Sequence, residues 1–246
     1  MTISAIDKSR RKAARVAGFT FLFAMAIVIV ANYGINFRLI IPGNTTETAR
    51  NILAHETLFR INIACNLFYV VTVIVMLTTL YIILKPVNQN LALIAVFFRL
   101  IYALMWGVTA LNTLDTLRLL GYADYLPVFK TDQLQTLARL HLTASWDAYY
   151  FGLPFWGLAS ALCSYLWFKS RYIPRALAAV GVISSVWCVI CAIIFIIFPN
   201  FDKTINLYCF DTPMLIFEMI LGFVLLFKGL GTSGMLRPNP MTQEIL

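Results

Sequence analysis

Two ionisable side chains fall inside long apolar runs of this 246-residue sequence: Arg99 within residues 91–114 and Glu218 within residues 213–227. Charge in hydrocarbon is costly, so such residues mark pairing, ion pathways or ligand contacts. At 1.5 Å per helical residue, Arg99 lies roughly 12 Å from one end of its run and Glu218 roughly 15 Å from the same side. Their depths match, and we expect the two to form an intramembrane ion pair or to share a bound polar group. Along the same run Arg99, Tyr102, Trp106, Thr109 and Thr113 recur at steps of three or four, which puts them on one helical stripe. Asn62, Asn66 and Tyr69 form a second stripe. His141, Ser145, Tyr149 and Gly152 form a third, with Asp147 and Tyr150 beside it. Stripes of this kind either hydrogen-bond helices to one another or face a polar cavity.

The remaining reactive types carry weaker signals. His141 and Asp147, with His55 and Glu56 on a neighbouring connector, are the candidates for a metal or acid-base site. No His-Glu-x-x-His or comparable spacing accompanies them, and adjacent residues such as His55 and Glu56 point to different sides of a helix. Headgroup-facing interface residues are the better reading, so we expect neither a metal nor a cofactor. Cys188 and Cys191 have redox spacing but lie in an apolar helix, where small sulfur side chains pack. The five cysteines suggest no disulfide framework. Glycine-rich phosphate loops and a nucleophile elbow are absent, which argues against an ATP-driven machine and a serine hydrolase.

The elements that must position these groups follow from composition. Hydrophobic residues make up 61% of the chain and charged residues 12%, with a mean hydropathy of +0.82, outside the balance of a soluble domain. Six apolar runs, at 17–35, 61–84, 91–114, 148–168, 176–199 and 213–227, predict an all-α, polytopic six-helix membrane bundle over residues 17–230. A basic tail (1–16) precedes it and a short tail (231–246) follows. An N-terminal signal peptide is the less favoured reading of the first run, since no small-residue cleavage site follows it.

The net charge of +8 flanks the apolar runs, which speaks for topology rather than nucleic acid. One set of connectors and tails holds eleven basic residues against Asp7 and Glu244, whereas the other holds seven against eight acids, Asp124, Asp202 and Asp211 among them. The positive-inside rule then places both termini in the cytoplasm. The outer connectors are the long ones. Asn44-Thr45-Thr46-Glu47 caps a predicted amphipathic helix with Leu53, Leu58 and Phe59 on its apolar side. Thr131-Asp132 starts a second, through Leu134, Leu137 and Leu140. We expect both to lie at the outer interface before spans two and four, with Pro154 a kink in the latter.

Most of the chain, about residues 12 to 230, resembles the bacterial membrane proteins grouped as domain of unknown function family 4386. The resemblance rests on Ala14-Arg15-Val16-Ala17-Gly18, Glu56-Thr57-Leu58-Phe59-Arg60, Phe98-Arg99-Leu100, Asp147 with Phe151-Gly152-Leu153, and Glu218 followed by Lys228-Gly229. The junction Ser170-Arg171-Tyr172-Ile173-Pro174-Arg175 is its most specific piece. It departs at Pro154-Phe155-Trp156, where a smoother apolar run is expected. The resemblance implies a six-helix layout in a bacterial plasma membrane and singles out Arg60, Arg99, Asp147 and Glu218, but no reaction.

With Asn66, Tyr102 and His141 these residues are the candidates for ligand binding or a buried polar network. Three function classes stand open. The chain binds or translocates a small amphiphile in an intramembrane cavity; or it is an enzyme using acid-base chemistry on a lipid or isoprenoid; or it is an assembly subunit of a membrane complex. The partners expected are the lipid bilayer and a small amphiphile, with no nucleic acid.

Overall fold

A computed structural model describes residues 3–121, 128–203, 205–206 and 208–231, all of them helical or in turns between helices. Asp124 and the expected C-terminal tail beyond Gly231, with Glu244, lie outside the described residues. Helix α1 (Ile3–Ile29) passes through a π-helical segment (Val30–Asn36) into a last turn, α2 (Phe37–Leu39). Then come α3 (Thr45–Ala54), α4 (Glu56–Leu84), α5 (Gln89–Leu120), α6 (Thr131–Ser170), α7 (Arg175–Ile197) and α8 (Tyr208–Phe223), the last extended by a π-helical turn (Val224–Lys228). Six of these stretches are long and apolar enough to cross a membrane. Their outward faces carry large apolar residues such as Phe68, Leu111, Ile183 and Phe227, as lipid contact requires.

Several expected boundaries move. The basic segment before residue 17 is already helical from Ile3 and buries Ala13 and Ala14. It contains no glycine or proline to stop a helix that basic residues tolerate well. The connector helix α3 forms as expected, with the Asn44 side chain accepting from the Glu47 N–H at 3.0 Å. Its buried side, however, is Thr48, Ala49 and Ile52, and Leu53 is exposed. Ile52 joins Ile35, Leu39, Phe59, Leu117 and Leu142 in a separate apolar cluster that closes this end of the bundle.

The second connector helix starts at Thr131, as expected, and feeds without interruption into the fourth span. It is the first part of α6, forty residues without a break. The two connectors thus differ: α3 ends at His55, where the backbone leaves helical geometry (φ −127°, ψ 42°), and α6 has no such interruption.

The last span begins earlier than Pro213, at Tyr208, and takes Asp211 into its first turn. A proline inside a helix cannot donate to the carbonyl four residues back. That carbonyl belongs to Cys209, and the indole N–H of Trp187 on α7 donates to it at 2.8 Å. A neighbouring helix thus satisfies the group that Pro213 leaves unpaired, and the helix continues.

Both described chain ends reach the same end of the bundle. At the turn between α6 and α7, Arg10 donates to the Tyr172 hydroxyl at 3.0 Å and the Gly231 N–H donates to the Tyr172 carbonyl at 2.8 Å. Near this end α1 and α8 touch backbone to backbone. A Cβ on Gly18 would stand 2.5 Å from the Leu226 nitrogen and 2.7 Å from the Gly222 oxygen. Gly18→Val should therefore push these helices apart and cost about 1–3 kcal/mol, read as a lower melting temperature of the purified protein. Gly107→Ala, whose new methyl meets no other part of the bundle within 4 Å, should not lower that temperature.

Candidate functional site

Arg99 on α5 and Glu218 on α8 meet in the bundle interior. The guanidinium donates twice, Nη1 to Oε1 at 2.8 Å and Nη2 to Oε2 at 3.0 Å, the fork-to-fork geometry that makes such pairs strong. Arg99 is 5% exposed. On Glu218 the Oε1 atom also accepts from Trp156 Nε1 at 2.9 Å and Ser160 Oγ at 3.2 Å, both from α6. Arg99 Nη2 makes a further contact with Met76 Sδ on α4 at 3.2 Å, and the guanidinium lies 5.8 Å from the Phe21 ring centroid on α1. Five of the six spanning stretches therefore converge on one charge pair. Two voids adjoin it, of about 20 and 50 Å³, room for water but not for a larger guest.

An aromatic layer covers the pair. Tyr102 stacks on Trp156 at 5.5 Å and meets Tyr69 and Trp106 edge-on at 6.3 and 6.4 Å. Tyr69 in turn lies 4.2 Å from Trp106, and Trp106 meets Tyr149 edge-on. Such offset and edge-on arrangements suit ring quadrupoles.

Beyond this layer, at the end of the bundle away from the N-terminus, α1 and α8 diverge. Between them, with α6 as the back wall, opens a cavity of about 960 Å³. Met25, Val28, Ile29 and Leu215 give it an apolar side, and Asn32, Tyr149, Lys203 and Asp211 a polar one. The Tyr149 hydroxyl donates to the Asp211 carboxylate. A smaller void of about 40 Å³ adjoins, lined by Asn32, Asn36, Asn62 and Asn66 with Thr109 and Ser145. Asn36 bridges two of these amides, donating to Asn32 at 3.0 Å and accepting from Asn62 at 2.8 Å.

The expected site residues thus separate. Arg99, Glu218 and Tyr102 come together, and Asn66 lies in the polar void. Arg60 does not reach them. It pairs at 2.7 Å with Glu56, one turn away on the exposed side of α4. Asp147 lies on the exposed side of α6. His141 is half-buried, with Nδ1 3.1 Å from the Asn112 side chain. Among the described residues no group of three or more His, Cys, Asp or Glu side chains is placed to hold a metal. Trp156, Ser160 and Asp211 were not foreseen as site residues. The first two lie seven and three residues before Cys163 on the Glu218 side of α6, and the apolar runs leave Asp211 in a connector.

The fold and its buried charges define a multi-pass helical membrane protein built around an intramembrane ion pair. The family described as Domain of unknown function (DUF4386) matches residues 16–229, and the chain belongs to that family. No curated protein and no solved structure matches it.

Removing one partner of a buried pair leaves the other unpaired in hydrocarbon, so Glu218→Gln should destabilise the fold by about 3–5 kcal/mol. Adding Arg99→Met should recover part of that loss, and a double-mutant cycle on thermal or denaturant unfolding measures the coupling. Strictly additive costs would contradict the pairing.

Proposed function

We propose that this protein binds a small amphiphile in the cavity between α1, α6 and α8, within a bacterial plasma membrane and with both termini cytoplasmic. The observation that carries this reading is the cavity itself, whose volume of about 960 Å³ lies at the upper end of the range of small-molecule sites. Its lining supports an amphiphile over a purely polar or purely apolar guest: aliphatic side chains stand on one side, and a carboxylate, a hydroxyl, an amide and an amine on the other. The Arg99–Glu218 pair is not the contact surface in this reading, because both oxygens of Glu218 are engaged and the adjoining voids, about 20 and 50 Å³, are too small for an amphiphile. It closes the interior below the cavity and holds the helices that shape it. This favours binding over passage through the bundle.

A second reading, an intramembrane enzyme, draws on the Tyr149–Asp211 contact. A carboxylate that accepts a hydrogen bond from a phenol at the wall of a substrate-sized cavity has the components for acid-base work on a lipid.

Native mass spectrometry of protein released from nanodiscs tests the binding reading. Leu215→Trp adds an indole to the cavity wall, and the wild type should carry a bound amphiphile that this variant loses while keeping its melting temperature. A bound species that is equally retained in Leu215→Trp, or none in either protein, would contradict it.

A further inference from the structure

Asp211 is placed where a carboxylate needs a counter-charge. It lies within the candidate membrane span Cys209–Lys228, and charge at such a position calls for a partner. Its side-chain donor is the neutral hydroxyl of Tyr149. The amide ends of α8 share part of its charge, as for any acid in a first turn, but supply no cation. None of the ion pairs among the described residues reaches it. Lys203 lines the same cavity from an exposed position, and no ion pair links it to Asp211.

The walls beside Asp211 are aromatic. From α6, Trp146 and Tyr150 flank Tyr149, with ring centroids 6.4 and 5.3 Å from it and planes nearly perpendicular, at 89° and 70°. From the π-helical segment after α1, Tyr33 stands opposite, across the cavity mouth. These rings line the same cavity as Asp211, so a guest beside the carboxylate sits among aromatic side chains. That combination recognises a cation, and it does so best when the cation is bulky, weakly hydrated and taken out of water.

Resting on the amphiphile reading above, we propose that the headgroup this cavity selects is cationic, an alkylammonium or trimethylalkylammonium held by Asp211 and enclosed by Trp146, Tyr149 and Tyr150. The alkyl chain then lies along Met25, Val28 and Leu215 towards the opening between α1 and α8. The π-helical segment Val30–Asn36 forms part of that opening. Such segments concentrate where a helix must present side chains to a ligand, and here it brings both Asn32 and Tyr33 to the cavity.

The test compares three probes of equal chain length added to full-length protein in nanodiscs: dodecyltrimethylammonium, monolauroylglycerol and dodecanoate. Bound fractions are read by native mass spectrometry, in the wild type and in Asp211→Asn, Trp146→Leu and Leu215→Trp. The trimethylammonium probe should bind roughly tenfold or more tightly than the neutral one in the wild type. That preference should vanish in Asp211→Asn, an isosteric change that still accepts from Tyr149, while the neutral probe keeps its affinity. Trp146→Leu should lower the cation's affinity several-fold and serves in its place if Asp211→Asn fails to fold. Equal binding of all three probes, each lost in Leu215→Trp, would overturn the headgroup assignment and leave the amphiphile site standing. Preference for dodecanoate would overturn it too, in favour of Lys203. Binding of every probe that survives Leu215→Trp would remove the cavity reading itself, and the headgroup assignment with it.

Discussion

A guanidinium and a carboxylate buried together in a membrane bundle set the terms for everything near them. Neither ion is tolerable alone in hydrocarbon, and even paired they leave lone pairs and N–H groups to satisfy. Here much of the remaining demand is met by Trp156 and Ser160 on Glu218 and by Met76 and Phe21 beside Arg99, while the buried Arg99 Nε–H has no partner among the described residues. Those partners come from three further helices, so meeting the demand brings α1, α4 and α6 against α5 and α8. Polar satisfaction, not apolar burial, is what makes this arrangement specific, since lipid is as good a solvent for leucine as another helix is.

The same constraint explains the uneven shape of the molecule. On the N-terminal side of the pair, Gly18 and Gly222 let α1 and α8 approach to backbone contact, the close packing that small residues permit in membranes. On the other side no glycine among the described residues brings α1 and α8 into such contact. Tyr149 and Trp187 hold the start of α8 to α6 and α7 instead, and α1 turns through a π-helical segment towards the α3 cluster. The cavity fills the gap that results. Neither Arg99 nor Glu218 lines that cavity; a smaller void of about 50 Å³, walled by Tyr69, Tyr102, Trp106 and Tyr149, lies between it and Glu218.

Much of this was legible in residue types and spacing. The six spans follow from apolar runs, and the match in depth between Arg99 and Glu218 pointed to their contact. The stripe of Arg99, Tyr102, Trp106 and Thr113 faces inward throughout, as a helical period demands. What stayed hidden was hidden for physical reasons. Asp211 and Pro213 look like a connector because acid and proline end most helices; only Trp187, distant in sequence, supplies the donor that lets the helix run through. Arg60 and Asp147 sit in segments that match the family, yet in three dimensions they lie on exposed faces. Conversely, Trp156 falls where the sequence departs from the family's pattern and still serves Glu218. The register of α3 was misjudged by one position, Ile52 for Leu53, because one turn of a short amphipathic helix allows both.

The pairing of Arg99 with Glu218 underlies all of this, and solid-state NMR on protein in lipid bilayers observes it directly. With guanidinium nitrogens labelled as ¹⁵N and glutamate carboxyl carbons as ¹³C, dipolar dephasing reports contacts between the two groups, and subtracting the spectrum of Glu218→Gln isolates this one. The structure requires strong dephasing of the Glu218 carboxyl by two guanidinium nitrogens, as its paired 2.8 and 3.0 Å contacts demand. A Glu218 carboxyl that shows none, in protein that remains folded, would contradict the account at its base.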